Sequence, residues 1–270
     1  MKRNKEKENI PLIITICGER RSGKTVISAA LAKAFEKQKY QKILIVDFNI
    51  LDQKLYSIFK KQKYSKIIYN KIKKQKNSKK TNNKKTQQKI NKFYFKNINK
   101  FSQDFIININ KNIKLISGIN LLFEKNENNS KVKIKNFIEN FLKNSSQKYS
   151  VIIFDTGSHD KWKVNEVLFT QSSIILKIVD PNLLGIKRER NYALKQLEKH
   201  RKKEDGLHIV VNKYNLLSID FQILKNFLGK RIVIGKVRKV NFRKQNTEDE
   251  TLISKNLIKD CKKIINKIKK

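Results

Sequence analysis

Six apolar runs, most of them rich in Ile and Val, recur along this chain with amphipathic stretches between them, and that alternation constrains the fold more than any other feature. The runs cover 12–17, 43–47, 151–155, 173–180, 207–212 and 231–234. Continuous β-branched runs mark strands buried on both faces of a parallel sheet. Apolar residues at helical spacing follow the first run over 25–37 and return at about 132–146, 162–170, 184–200 and 217–228, with a last amphipathic stretch at 249–268. The pattern predicts an α/β fold, a doubly wound and mostly parallel sheet with helices on both faces and ligands at the carboxyl ends of the strands. Asp47, Asp155, Asp180 and Asn212 close four of the runs.

The first run leads directly into Gly18-Glu19-Arg20-Arg21-Ser22-Gly23-Lys24-Thr25, and a helical pattern opens at Thr25-Val26. Gly, four residues, then Gly-Lys-Thr is the P-loop pattern, set here in the strand and helix context it requires. In such a loop, backbone N–H groups and the helix N-terminus cradle phosphates, Lys24 reaches the β- and γ-phosphates, and the Thr25 hydroxyl ligates Mg²⁺. Asp155 ends a strand whose four preceding residues are apolar, the Walker B arrangement that places a carboxylate on the Mg²⁺ water shell. A strand-end Asp is equally a helix cap, and it is the loop that selects the metal role.

Composition bounds the rest. The chain has 270 residues, 39% of them apolar, enough for one α/β domain with an insertion. Two cysteines, Cys17 and Cys261, make no disulfide framework. The apolar run that begins at Ile10 is too short to span a membrane, so the expectation is a cytoplasmic protein, peripheral at most on a membrane or nucleoid. A basic tail is read at 1–9 and a single nucleotide-binding domain at 10–270. The domain is interrupted at about 60–100 by a Lys/Asn-rich insertion. From Gln53 to Gln103 there is no acidic residue and there are 17 lysines, within a chain of net charge +40. The stretch 73–92 is too polar to offset the cost of ordering, which predicts a mobile segment. Of the 63 basic residues nine are Arg, a Lys skew that codon drift in an AT-rich genome would also produce. The charge alone therefore assigns no partner.

The order of these elements resembles the ParA/MinD group of P-loop ATPases, including the pilus- and flagellum-positioning relatives. The likeness rests on the P-loop of the first strand, Val46-Asp47-Phe48-Asn49, Phe154-Asp155-Thr156-Gly157, and Val210-Val211-Asn212-Lys213. It implies ATP with Mg²⁺ and a homodimer that sandwiches two nucleotides, acting as a switch that positions a cargo with the help of a protein activator. It also implies nucleotide contacts along Gly18, Glu19, Arg20, Arg21, Ser22, Gly23, Lys24, Thr25 and Val26. Asn212 would read adenine, Thr25 and Asp155 would hold Mg²⁺, and Lys24, Asp47 and Asn49 would serve hydrolysis.

Two departures stand out. Where the group has a signature lysine followed by two glycines, this chain has Glu19, Arg20 and Arg21. Where its second strand carries two acids, this chain has Asp47 and Asn49, and an amide cannot take a proton from water. Together they predict nucleotide binding with slow or absent hydrolysis. A dethiobiotin-synthetase-like ligase, or a kinase, on the same fold is the competing reading. Asp47 at the end of the second strand argues against the ligase. Two segments could meet DNA or an anionic membrane: the insertion, where Lys92-Phe93-Tyr94-Phe95-Lys96 interleaves cations and aromatics but a solvated loop is the simpler reading, and the last helix with its lysine-flanked apolar face, which in such folds more often packs against the sheet.

Overall fold

A computed structural model describes residues 10–49, 55–60, 104–117, 130–157, 164–199, 206–215, 217–228, 232–239 and 253–269. The basic tail, most of the insertion, Trp162, His159 and His200 lie outside the described residues. The strands are β1 (Leu12–Gly18), β2 (Ile43–Phe48), β3 (Ile106–Asn108), β4 (Ile113–Ile116), β5 (Val151–Thr156), β6 (Ile174–Val179), β7 (Leu207–Tyr214) and β8 (Val233–Arg238). The helices are α1 (Lys24–Lys37), α2 (Leu55–Lys60), α3 (Ser130–Ser145), α4 (Val164–Gln171), α5 (Leu183–Lys199), α6 (Phe221–Leu228) and α7 (Lys255–Ile268).

Alternate residues of each central strand feed two cores. Ile43 and Ile45 of β2, Val151 and Ile153 of β5, and Ile14 and Ile16 of β1 pack under α1, α2 and α7. Leu44, Val46, Ile152 and Phe154 face the other way, against α3 and α4. Farther along that second face, Val179, Ile209 and Val211 meet Ile186 of α5 and Leu224 of α6. This is why the runs lack polar alternation: both faces of each strand are covered.

The sheet order is β3-β4-β2-β5-β1-β6-β7-β8 among the described strands. Every neighbouring pair is parallel except β3 with β4. The expected doubly wound α/β sheet is therefore present. From β1 the chain runs out to β2, β3 and β4 on one side and returns to β5 between β2 and β1. It then steps outward through β6, β7 and β8 on the other, so the carboxyl ends of β1, β5 and β2 lie side by side.

Boundaries follow local capping. The stretch 217–228 becomes helical only at Phe221, because the Asp220 carboxylate accepts from Gln222 N at 2.8 Å and from Ile223 N at 3.2 Å. The last helix starts at Lys255 because the Ser254 hydroxyl accepts from Leu257 N at 3.2 Å. Leu257, Ile258, Cys261, Ile264 and Ile265 of that helix are buried. An orientation that lays this face on a membrane does not fit the fold. Among the described residues no helix is long and apolar enough to cross a membrane.

β8 is an edge strand, a row of backbone groups open to pairing unless something covers it. α7 supplies the cover. Lys267 Nζ donates to Ile234 O at 2.7 Å, and the Asp260 carboxylate accepts from Arg238 N at 3.3 Å and from its guanidinium at 3.0 and 3.1 Å. Gly235 allows the close approach, since a Cβ there would lie 2.7 Å from Ile264 Cγ1.

Candidate functional site

The loop from Gly18 to Gly23 joins the end of β1 to the start of α1, and its shape depends on both glycines. Gly18 has φ 146°, and a Cβ on it would lie 2.1 Å from Ile178 O. Gly23 has φ 89°, and a Cβ there would lie 2.2 Å from Asn212 Nδ2. Either side chain would fill the cradle and strain the backbone. Gly23 is the N-cap of α1 with no side-chain cap bond, so no side chain of the cap residue occupies the first-turn N–H groups of the helix.

Lys24 is buried, and its Nζ donates to Gly18 O at 3.1 Å and to Glu19 O at 2.7 Å. The ammonium therefore spans the mouth of the loop. Ser22 is buried, and its hydroxyl has no hydrogen-bond partner. Arg20 and Arg21 are exposed, while Thr25 and Val26 are half-buried in the first turn of α1.

Behind the loop, the two strand-end acids meet. Asp47 and Asp155 are opposite each other in the β2–β5 register, and both are fully buried. Ser28, one turn beyond Lys24, donates to Asp155 Oδ1 at 3.0 Å, whereas Asp155 Oδ2 is buried with no hydrogen-bond partner. Burial pushes the Asp155 carboxyl up to about 6, against the opposing pull of the Thr25 and Ser28 hydroxyls and the Lys24 charge. A buried carboxylate oxygen without a donor, next to the Thr25 side chain, suits a hydrated divalent cation. Asn49 N donates to Asp47 Oδ1 at 3.1 Å, and its side-chain oxygen lies beside Gly157, where a Cβ would come within 3.2 Å.

The far wall comes from β6, α5 and β7. Asn212 is buried and gives its Nδ2 to Ser22 O at 2.7 Å, so its amide holds the loop backbone. Lys213 sits at φ 56° beside a register shift in the β7–β8 pairing. Its Nζ donates to Arg21 O at 2.6 Å and to Asp180 Oδ2 at 2.9 Å. A strand irregularity of this kind re-aims a side chain, and here it turns Lys213 onto the loop. Arg188 of α5 forms an ion pair with Glu19.

The structure thus brings Gly18 to Val26, Asp47, Asn49, Asp155 and Asn212 to one end of the sheet. Sequence reasoning missed Ser28, Lys213, Asp180 and Arg188 as parts of this constellation. The spacing of Ser28 from Lys24, one helical turn, was a usable signal. For Arg188 there was none.

Solved structures share this architecture. A plasmid partition protein of Borrelia burgdorferi, solved with AMPPNP bound, is 18% identical, with 95% of this chain and 97% of that one covered and a TM-score of 0.63. The cell division ATPase MinD of Pyrococcus furiosus is 15% identical, with coverage of 96% and 98% and a TM-score of 0.62. A chain of the MinC:MinD cell division protein complex of Aquifex aeolicus is 16% identical, with coverage of 94% and 96% and a TM-score of 0.63. No family model and no curated protein matches the sequence. At these identities the likeness establishes the fold: the chain has the mostly parallel, two-faced α/β architecture of these P-loop proteins.

Proposed function

We propose that this protein binds ATP with Mg²⁺ in the Gly18–Thr25 loop and acts as a ParA/MinD-like dimerisation switch for positioning or partitioning a cargo, with weak or absent hydrolysis. The observation that carries the reading is the convergence of Lys24, Thr25 and the unpartnered Asp155 Oδ2 on a loop whose two glycines leave room for phosphates. The loop amides and Lys24 would bind the phosphates, and Thr25 and Asp155, the latter through water, would hold Mg²⁺. Mg²⁺ supplies charge neutralisation on the β- and γ-phosphates.

The other residues divide between holding and withholding. Asn212 would bind the adenine side of the site while keeping the loop in place, and Asp47 backs the metal position. Asn49 can orient a water but cannot deprotonate it. Glu19 puts an anion where a partner's phosphates would approach, and Arg188 offsets that charge within the same chain. With α7 packed into the core, an anionic surface would be met through the Lys-rich insertion, from a cytoplasmic or peripheral location.

The test is sizing of the purified protein with and without ATP and Mg²⁺, alongside Lys24→Ala. A mass that doubles with ATP only in the wild type is the expected outcome. An unchanged mass with ATP demonstrably bound would refute the switch, and consumption of ATP only on addition of a small substrate would favour the ligase or kinase reading.

A further inference from the structure

At the opposite end of the sheet from β3, β8, α7 and Phe221 of α6 line a recess of about 390 Å³. Its floor is Phe221, Ile234, Gly235 and Ile264. Its rim is cationic: Lys236 and Arg238 from β8, and Lys259, Lys263 and Lys267 from α7. The single acid in the lining, Asp260, is buried and already engaged by Arg238 through both guanidinium bonds. Four lysines therefore share the hollow, and the one carboxylate in its lining is already paired with Arg238.

We propose that this recess binds a compact, multiply phosphorylated small molecule, at a site separate from the Gly18–Thr25 loop.

Three observations support the assignment. Like charges have been brought together at a cost: desolvation, and then the charges of Lys225 and Lys263, hold the Lys267 ammonium below its ordinary pKa. Lys236 is fixed over the rings of Tyr214 at 4.2 Å and Phe221 at 5.2 Å, so part of its rotamer entropy is spent before any anion arrives. The shape is also selective. A volume of this order falls within the range of small-ligand clefts and exceeds a single phosphate. Nucleic acid presents its phosphates along an extended outer ridge, whereas these cations surround a hollow between one strand and one helix. The site owes nothing to the ATP reading, because none of its residues belongs to the loop, to Asp155 or to Asn212.

The experiment uses the full chain carrying Lys24→Ala, so that the loop contributes no phosphate affinity, and titrates it with inorganic tripolyphosphate by calorimetry and by thermal shift. One saturable site is expected. Lys236→Gln with Lys263→Gln should weaken it by about tenfold or more, because two charge-assisted contacts are lost. Lys135→Gln with Lys143→Gln, exposed on α3 and removing the same charge, should leave it unchanged. Absence of saturable binding, or equal loss in both double variants, would overturn the proposal. A short duplex DNA that binds through Lys236 and Lys263 and is not displaced by tripolyphosphate would overturn the ligand class and make the recess a nucleic-acid contact.

Discussion

Asn212 holds Ser22 from a distance of 190 residues along the chain, its Nδ2 giving a 2.7 Å hydrogen bond to the Ser22 carbonyl. The bond is buried, and it passes directly over Gly23, whose missing side chain makes the space for it. The end of β7 therefore determines whether the loop keeps its curvature.

Removing that amide should loosen the loop even with every phosphate-contacting residue intact. Asn212→Ala leaves a buried carbonyl without its donor, worth about 1–3 kcal/mol. Asn212→Asp should be worse, since it sets a carboxylate against the Ser22 oxygen. Both variants should melt earlier and bind ATP at least several-fold more weakly. Wild-type values for both quantities in Asn212→Ala would show that the bond does not hold the loop.

Lys24→Ala should abolish measurable ATP affinity, because the mouth of the loop loses its cation and its tie to the Gly18 and Glu19 carbonyls together. Titration calorimetry reads this directly, and retained wild-type affinity would contradict the P-loop assignment.

Asp155 supplies a pH signature in metal-free buffer. Its carboxyl is raised to about 6 in the fold, so between the ordinary Asp range and 6 the folded state holds a proton that the unfolded state has released. Stability contributed by this group is thus present at low pH and lost as pH rises through about 6, with a total on the order of 2–3 kcal/mol. Denaturant melts of wild type and Asp155→Asn from pH 4 to 7 should show the difference between them moving in the variant's favour as pH rises. A difference that stays flat across that window would remove burial as the dominant influence on this carboxyl.

Hydrolysis by the wild type should be slow, with turnover below on the order of 1 s⁻¹, the low end for efficient enzymes. Asn49→Asp restores a proton acceptor beside Asp47 and should raise the rate by about tenfold or more. Fast turnover in the wild type, or no response to Asn49→Asp, would show that another group activates the water.

Gly235→Ala tests the seal on the sheet edge. The added methyl would meet Ile264 Cγ1 at 2.7 Å and push α7 outward, a destabilisation of about 1–3 kcal/mol. Ile264→Ala in the same chain should recover part of it. A Gly235→Ala protein with an unshifted melting temperature would mean that α7 is not held close to β8.

What the sequence made legible was whatever local pattern encodes. Apolar runs without polar alternation located the buried strands because helices cover both faces, as the opposite burial of Ile45 and Val46 illustrates. The loop and Asp155 were legible because phosphate binding demands fixed spacing around glycine. Helix starts at Phe221 and Lys255 were displaced from the apolar pattern because Asp220 and Ser254 cap them, and periodicity does not weigh caps. Lys213 and Arg188 were not legible at all. Their roles depend on a β7 irregularity and on which helix the topology sets beside the loop, and neither leaves a spacing rule in the chain. The recess at β8 was hidden for the same reason, since it joins residues from β8, α6 and α7 whose proximity only the folded chain creates.

The packing of α7 on α1 also orders events in time. Ile27, Leu31 and Phe35 of the helix that carries the loop share a core with Leu257, Cys261, Ile264 and Ile265, and Gln38 Nε2 bonds Asn266 Oδ1 at 2.8 Å. A ribosome that has released only the first two strands has made the phosphate loop but not the surface that steadies its helix. Until α7 has been synthesised and docked, α1 has only part of its apolar partner surface, and a nascent chain carries the motif without the rigidity to use it. On the nucleotide-binding reading proposed above, competence would await the docking of α7, and a truncation before α7 would display the loop motif without the packing that supports its helix.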